Sequence, residues 1–202
     1  VHGNPTWAYA WKTLLVRFAG RHRVIAIDQL SMGYSERVAP RRYARRVTDL
    51  DDLIGALDIA PASPLILAAH DWGGAIGMRT LLNQRPRFRR IVLGNTAAFP
   101  PPYIPFRIRV CRWPVVGKIG VQGFNLFARA AQTMTTERPD GLPRDVAAGL
   151  IAPYDSWANR VAVYHFVRDI PLSPSHRTWS TLNEMEQRLP AVGDLPIQLI
   201  WG

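Results

Sequence analysis

Apolar residues recur along the chain in two alternating patterns, which predict strands separated by helices. Short continuous apolar runs, typical of buried strands, occupy residues 24–27, 65–70, 91–93 and 196–201. Residues 43–57 instead place their apolar side chains at helical spacing, and a second helical segment covers residues 74–84. Thr6 stands where it can cap a further helix that would end at Phe18. This alternation favours an α/β fold with a doubly wound, mostly parallel sheet.

The pattern changes after Phe99, where three consecutive prolines interrupt it. Residues 103–190 are rich in aromatic residues and prolines, and they show helical segments without intervening strands. Because the chain then returns to an apolar run, we expect the intervening part to be a helical cap inserted into the sheet domain. The predicted organisation is an α/β core in residues 1–99, a cap in residues 100–190 and a return strand of the core in residues 191–202.

The segment LILAAHDWGGA, residues 65–75, predicts a sharp turn from a strand into a helix with Asp71 at its tip. Small residues at positions 69, 73 and 74 let backbone segments approach one another closely. Hydrolases present their nucleophile on a strained turn of this shape. A carboxylate in that position can attack an electrophilic carbon and form an ester. An ordinary turn, with Asp71 capping the helix, is the alternative interpretation.

Asn4 and Trp72 are candidates for stabilising an anion beside Asp71. In proteins with such a turn, the residue after the nucleophile and a second turn supply backbone N–H groups to an oxyanion hole. Trp72 follows Asp71 directly, and Asn4 lies in a turn-forming segment, HGNPT. Both side chains also carry N–H donors, which could hold a leaving halide or carboxylate. Plain turn chemistry for Asn4 and core packing for Trp72 are the alternatives.

These segments resemble the haloalkane dehalogenase branch of the α/β-hydrolase superfamily. The motifs that carry the resemblance are residues 2–7, Asp28 with Gly33 and Ser35, and residues 70–74. Three later stretches make the chain most similar to the β-lactone decarboxylases of bacterial long-chain olefin biosynthesis: residues 93–99, 152–160 and 166–172. The resemblance implies a helical cap, Asp71 as nucleophile, and Asn4 and Trp72 as the anion-binding pair. It also implies a long apolar pocket, with candidate lining residues Phe106, Val110, Trp113, Phe124, Phe127 and Trp157.

The same resemblance leaves several activities open. A decarboxylase would open a cis-3,4-dialkyl β-lactone and release CO₂ and a cis-alkene, with the point of attack by Asp71 undetermined. A haloalkane dehalogenase would displace halide and then hydrolyse the ester. An epoxide hydrolase would need two cap tyrosines as proton donors, and the candidates are Tyr103, Tyr154 and Tyr164. An inactive binding protein on a hydrolase scaffold is the non-enzymatic alternative.

The histidine base and its supporting acid of this family are expected beyond Gly202, and the first core strands are expected before Val1. The resemblance therefore predicts that the chain is a piece of a longer protein, and that this piece lacks the catalytic histidine and acid. A nucleophilic carboxylate needs such a base to activate water. In this form the chain is expected to react at most once, leaving an ester on Asp71 that nothing hydrolyses. The full-length protein is expected to be the enzyme, and this piece alone is expected to be inactive.

The five histidines of the chain, and Asp155 and Asp169, are not expected to replace the missing histidine and acid. His2 and His70 match structural positions of the two motifs, His22 adjoins a strand, and His165 and His176 lie in the cap. Asp155 and Asp169 match cap residues of the resemblance and not a catalytic acid.

Charge and composition exclude several other function classes. The net charge of +10 comes almost wholly from scattered arginines, with lysine only at positions 12 and 118. These arginines lack the interleaved aromatic residues of a nucleic-acid surface, so no nucleic-acid partner is predicted. Cys111 stands alone, which excludes a disulfide framework and favours a reducing, cytoplasmic setting. No metal site, phosphate loop or cofactor is predicted.

The predicted partner is a small apolar substrate, either a dialkyl β-lactone or a haloalkane. The resemblance adds other enzymes of the olefin pathway as possible protein partners. No apolar run reaches the roughly 20 residues that a membrane helix needs, so no membrane span is predicted.

Overall fold

The computed structural model describes residues 1–137 and 139–202, and these residues form two units. The first, called here the sheet unit, contains Val1, Arg41–Tyr103 and Asp169–Gly202. The second, called the helical unit, contains His2–Pro40 and Ile104–Arg168. The predicted boundaries of core and cap stay a prediction.

Three parallel strands form the sheet of the sheet unit. They are β1 (Leu65–His70), β2 (Phe88–Gly94) and β3 (Ile197–Ile200), in the spatial order β1-β2-β3. These strands confirm the predictions for residues 65–70, 91–93 and 196–201. Their common direction brings the carboxyl ends of all three to one edge of the sheet, where ligands of such folds bind.

Val1 extends the sheet by one residue beside β1. Its amino group donates to the carbonyl of Ala68 (2.5 Å), and its carbonyl accepts from the N–H of His70 (3.2 Å). Successive residues of a strand direct their backbone groups to opposite edges, so Ala68 and His70, which are two residues apart, both use the edge of β1 that does not face β2.

Helices make up most of the remaining structure. They are α1 (Lys12–Phe18), α2 (Tyr43–Ala56), α3 (Trp72–Asn83), α4 (Phe106–Val110), α5 (Val116–Lys118), α6 (Leu126–Met134), α7 (Arg144–Ile151), α8 (Val161–Asp169) and α9 (Arg177–Arg188). The helices predicted at residues 43–57 and 74–84 are confirmed, although α3 begins two residues earlier than expected. The helical character predicted for residues 103–190 is also confirmed.

The core of the sheet unit lies between the strands and the helices α3 and α9. Its buried side chains include Leu67, Ile91, Leu93, Met78, Leu81 and Met185. Nine of the twelve residues of α3 are buried, which suits a helix that follows directly from a central strand. An ion pair between Arg79 and Glu184 (2.7 Å) joins α3 to α9 at the surface.

Two local predictions are wrong. Residues 24–27 form no strand, because a strand is defined by a hydrogen-bonded neighbour and apolar character alone does not supply one. Thr6 does not cap a helix: its hydroxyl donates to the carbonyl of Gly3 (3.2 Å). The first helical turn, Ala8–Trp11, is a 3₁₀ helix that leads into α1.

None of the helices in the part of the chain that the structure describes is long and apolar enough to span a bilayer.

Candidate active site

Asp71 occupies the sharp turn between β1 and α3, in a backbone conformation that side-chain-bearing residues rarely adopt. Its φ is +53° and its ψ is −134°. This combination costs on the order of 1–3 kcal/mol for a residue with a Cβ, and such strain concentrates at active sites. The turn predicted from the sequence is therefore present, with Asp71 at its tip. The alternative of a simple helix cap has no support in the hydrogen bonds, since Asp71 makes no side-chain cap bond.

The strained turn is held by the backbone of Asp71 itself. Its N–H donates to the carbonyl of Asn95 (3.3 Å), and its carbonyl accepts from the N–H of Gly74 (2.9 Å) and the hydroxyl of Thr96 (2.5 Å). Asn95 and Thr96 follow β2, so they tie the turn to the neighbouring strand. These bonds fix the direction in which the side chain of Asp71 leaves the sheet.

Gly74 is required by the same packing. A Cβ at this position would overlap the Oγ1 atom of Thr96, the atom that holds the carbonyl of Asp71. A small residue is needed at this position, as predicted, but the crowding atoms belong to the side chain of Thr96 and not to a backbone segment.

Trp72 begins α3 and is half-buried in the sheet unit. Its ring lies 6.1 Å from the ring of Tyr43, at an interplanar angle of 39°. Burial raises the pKa of Tyr43, whose hydroxyl donates to the carbonyl of Ala75 (3.0 Å). The first turn of α3 is therefore supported from α2 by a neutral, hydrogen-bonded phenol.

Asn95 connects the turn to the end of β3, a link that the sequence analysis did not identify. Its amide donates to the carbonyl of Gly202 and accepts from the N–H of Gly202, both at 3.3 Å. Its backbone N–H donates to the carbonyl of Ile200 (3.2 Å), and its φ is +35°. Asparagine tolerates positive φ better than most residues, which is the local sequence signal at this position, and Asn95 also lies in the stretch 93–99 that carries part of the family resemblance.

Asn4 lies in the helical unit, in the turn that the sequence predicted. Its amide nitrogen donates to the carbonyl of Val163 on α8 (3.1 Å), which orients the side chain. The turn is braced by buried His2, whose Nε2 accepts from the N–H of Gln29 (3.0 Å). Nδ1 of His2 must therefore carry the proton that it donates to the carbonyl of Gly3 (2.8 Å). Both ring nitrogens serve the structure.

The motif of Asp28, Gly33 and Ser35 organises a second loop of the helical unit. The carboxylate of Asp28 accepts from the N–H groups of Ala8 (2.7 Å) and Tyr34 (2.9 Å), and the hydroxyl of Ser35 donates to its carbonyl (2.6 Å). Gly33 has a φ of +51°, and a Cβ there would overlap the carboxylate of Asp28. These residues therefore build the loop and leave no carboxylate oxygen without a backbone donor.

The remaining candidate acids and bases also have structural partners. Asp169 is buried and accepts from the N–H of Tyr43 (2.5 Å) and the hydroxyl of Thr178 (2.7 Å). A hydrogen bond from Asn159 (2.8 Å) lowers the pKa of exposed Asp155. His176 caps α9 by accepting from the N–H of Thr178 (3.2 Å). Each of these groups thus makes a structural contact, and the expectation that the catalytic base and acid lie elsewhere stays a prediction.

Four of the six aromatic and aliphatic side chains proposed as pocket lining are exposed: Phe106, Trp113, Phe124 and Trp157. Val110 and Phe127 are half-buried. Their assignment to a substrate pocket stays a prediction. Among the described residues, no group of three or more histidine, cysteine, aspartate or glutamate side chains could hold a metal ion.

Comparison with known proteins gives a consistent set of relatives. The model of the family described as "Alpha/beta hydrolase family" matches residues 1–201. The chain is 38% identical to a cis-3-alkyl-4-alkyloxetan-2-one decarboxylase from Xanthomonas campestris pv. campestris, covering 100% of this chain and 70% of that protein. It is 28% identical to haloalkane dehalogenase 2 from Mycobacterium tuberculosis, covering 100% of this chain and 68% of that protein. The chain thus spans 68–70% of the length of these two relatives, and 65% of a second cis-3-alkyl-4-alkyloxetan-2-one decarboxylase, from Shewanella oneidensis.

The fold has a close counterpart among solved structures. The crystal structure of haloalkane dehalogenase DatA from Agrobacterium tumefaciens C58 matches with a TM-score of 0.83 and 23% identity. The match covers 98% of this chain and 69% of that chain. At this identity the likeness shows a shared fold.

Proposed function

The chain belongs to the alpha/beta hydrolase family, and from that premise we propose that it acts as a β-lactone decarboxylase with Asp71 as its nucleophile. The proposed substrate is a cis-3,4-dialkyl β-lactone, and the products are a cis-alkene and CO₂. The relative with 38% identity is named for this substrate class, whereas the dehalogenase relative is 28% identical. The comparisons confirm the family resemblance that was predicted from the sequence. The reaction of this chain is our proposal.

The strained backbone of Asp71 is the observation that carries the proposal. A φ of +53° at a residue with a side chain needs a compensating purpose, since glycine would adopt it at no steric cost. Presentation of a carboxylate at the carboxyl end of a parallel strand supplies that purpose, because the side chain leaves the sheet where substrates bind.

We assign Asn4 and Trp72 the role of stabilising the carboxylate that forms when the lactone ring opens. Both side chains are N–H donors, and preorganised donors of this kind stabilise charge that develops during reaction. The hydrogen bond from Asn4 to the carbonyl of Val163 and the packing of Trp72 beside Tyr43 support this role, since they restrict both side chains before substrate arrives. The assignment otherwise rests on the family resemblance.

We further propose that Asp71 attacks C4, the sp³ ring carbon that is bonded to the ring oxygen, and not the carbonyl carbon. The bond between C4 and the ring oxygen breaks, and the products of this step are an alkyl ester of Asp71 and a free carboxylate on the neighbouring carbon. The carboxylate leaves as CO₂, its bonding electron pair forms the double bond, and the carboxylate of Asp71 is expelled unchanged. Inversion at the attacked carbon followed by anti elimination gives a cis-alkene from a cis-lactone. This route consumes no water.

Dehalogenation is the second candidate, and its chemistry differs at the ester. An ester formed from a haloalkane has no carboxylate to lose, so only water can release Asp71. Epoxide opening has less support. The hydroxyls of buried Tyr154 and Tyr164 donate to the carbonyls of Thr6 (2.9 Å) and Trp113 (3.5 Å), and Tyr103 is exposed.

The test is a paired assay of the purified protein with a cis-3,4-dialkyl β-lactone and with a 1-bromoalkane. We expect alkene from the lactone, measured by gas chromatography, and no steady release of bromide. Asp71→Asn should lower alkene formation by roughly 10³-fold or more, as loss of a covalent nucleophile does. Asp52→Asn, which neutralises an exposed carboxylate on α2, is the matched control and should retain full activity.

Isotope labelling then tests the point of attack. After many turnovers in H₂¹⁸O, the peptide containing Asp71 should carry no ¹⁸O, because the proposed route never hydrolyses the ester. Label in Asp71 would show an ester hydrolysed by water and would contradict the route. Alkene formation that persists in Asp71→Asn would overturn the proposed function. Release of bromide from the bromoalkane that is faster than formation of alkene from the lactone would also overturn it.

A further inference from the structure

The net charge of the protein is concentrated in one continuous stretch of sequence. Residues 72–136 contain ten basic residues and no aspartate or glutamate, whereas the rest of the chain carries 15 of each sign. This single stretch therefore accounts for the whole net charge of +10. Its part within the helical unit, residues 104–136, carries five basic residues, at positions 107, 109, 112, 118 and 129.

The same part of the helical unit exposes large apolar side chains. Within residues 104–126, here called the docking segment, Phe106, Val115 and Phe124 are each more than 60% exposed. Trp113, Val116 and Ile119 are 46–58% exposed. Single exposed apolar residues are ordinary on protein surfaces, but this density within one short segment marks an interaction surface.

Three close contacts define the local geometry of the docking segment. Gly117 is buried, and a Cβ there would overlap the carbonyl of Cys111, so the turn after α4 packs directly on the backbone of α5. The N–H of Ile119 donates to the carbonyl of Val115 (2.9 Å), which stacks these two exposed side chains one helical turn apart. Lys118 lies 5.7 Å from the ring of Trp157, so a cationic group borders the apolar side chains.

We propose that the docking segment binds the surface of a bilayer that contains anionic lipids. Exposed aromatic and aliphatic side chains beside arginine and lysine, in a segment whose sequence contains no aspartate or glutamate, fit the boundary between acyl chains and negatively charged headgroups. Arg107 and Arg109 are exposed and flank Phe106 on α4. Nucleic acid would match the charge but not the apolar side chains. This inference goes beyond the proposed function and rests on it only in that a dialkyl β-lactone dissolves in membranes.

The test is co-sedimentation of the purified protein with vesicles, in the absence of any substrate. We expect binding to vesicles of phosphatidylglycerol and phosphatidylcholine, weaker binding to pure phosphatidylcholine, and release as salt rises from 50 to 500 mM. R107Q/R109Q should lower the partition coefficient roughly 20- to 30-fold, at about fivefold for each charge. V115S/V116S, at exposed positions outside the predicted pocket lining, should lower it roughly tenfold or more.

The matched control is R89Q/R90Q, which removes the same charge from exposed positions of β2 in the sheet unit. It should leave vesicle binding within about threefold of the parent protein. Circular dichroism melting curves verify that each variant is folded.

Equal losses in R107Q/R109Q and R89Q/R90Q would overturn the proposal, because they would reflect net charge and not this surface. Equal binding to both kinds of vesicle, no binding to either, or binding of duplex DNA in place of vesicles would also overturn it. Alkene formation from dispersed lactone is measured without vesicles, so failure of the docking surface and failure of the proposed function are distinguishable.

Discussion

The strain at Asp71 separates stability from function at the scale of one residue. Asp71→Gly removes a conformational cost of roughly 1–3 kcal/mol. Glycine adds flexibility to the unfolded chain, which costs about 0.5–1 kcal/mol. The first effect exceeds the second, so we expect the free energy of unfolding to rise by about 1 kcal/mol while alkene formation is lost. Urea denaturation and the alkene assay measure the two properties.

Asp52→Gly is the control for this prediction, because Asp52 lies within α2 and has ordinary helical geometry. It should lower the free energy of unfolding by about 0.5–1 kcal/mol. If Asp71→Gly destabilised the protein as much as Asp52→Gly does, the backbone at Asp71 would not be strained and the main support for its role would be lost.

Gly74 provides a second residue-scale prediction. Gly74→Ala would place a Cβ on the Oγ1 atom of Thr96, so the hydroxyl that holds the carbonyl of Asp71 must move. We expect a loss of roughly 1–3 kcal/mol in the free energy of unfolding, together with reduced activity. Gly55→Ala, on α2 with open space around its Cβ, should instead stabilise by about 0.5–1 kcal/mol. Two equal effects in urea denaturation would contradict the packing argument.

At the scale of elements, the predictions that succeeded rest on patterns local in sequence. The strand β1, the helix α2 and the turn between β1 and α3 each follow from adjacent residues, and all three are present. Residues 24–27 have the same apolar character as a strand, but their conformation depends on which segment lies beside them. The bonds from Asn95 to Gly202 join residues 107 apart in sequence, and periodicity holds no information about such pairs.

The start of α2 shows how a distant residue completes an element. The residue before the helix, Arg42, supplies no side-chain cap, and the carboxylate of Asp169 accepts from the N–H of Tyr43 in its place. Thr178 on α9 donates to the other oxygen of the same carboxylate. A cap that comes from 126 residues away cannot be identified by scanning for capping residues beside the helix.

Asp169→Ala should therefore destabilise the sheet unit by roughly 1–3 kcal/mol, because it leaves a buried N–H and a buried hydroxyl without their acceptor. Thermal unfolding followed by circular dichroism measures the loss. Asp155→Ala removes an exposed carboxylate whose hydrogen-bonded side-chain partners, Asn159 and Ser156, lie within four residues of it, and it should change the stability by less than about 0.5 kcal/mol. Similar values for the two variants would show that Asp169 does not act as the cap of α2.

At the scale of the whole molecule, overall composition concealed where the charge lies. A net charge of +10 spread over many arginines indicated only a basic surface. The sequence pattern argued against a nucleic-acid partner and indicated no other role for the charge. The docking segment is identified by two observations: the position of the basic residues along the chain and the exposure of the apolar residues that lie between them. Exposure is a property of the folded chain, so the docking segment could not be distinguished from buried cap residues by sequence alone.

If both proposals hold, membrane binding and catalysis are properties that one assay can separate. A short-chain β-lactone dispersed in buffer reaches Asp71 without a bilayer, so R107Q/R109Q should form alkene from it at the parent rate. A long-chain lactone held in phosphatidylglycerol vesicles is available only to bound protein, and at low protein occupancy its rate follows the partition coefficient. That rate should fall roughly 20- to 30-fold in R107Q/R109Q and stay near the parent value in R89Q/R90Q. If R107Q/R109Q lost the same activity with both substrates, the two arginines would belong to the catalytic machinery instead. If R107Q/R109Q kept the parent rate with both substrates, the enzyme would draw the long-chain lactone from solution.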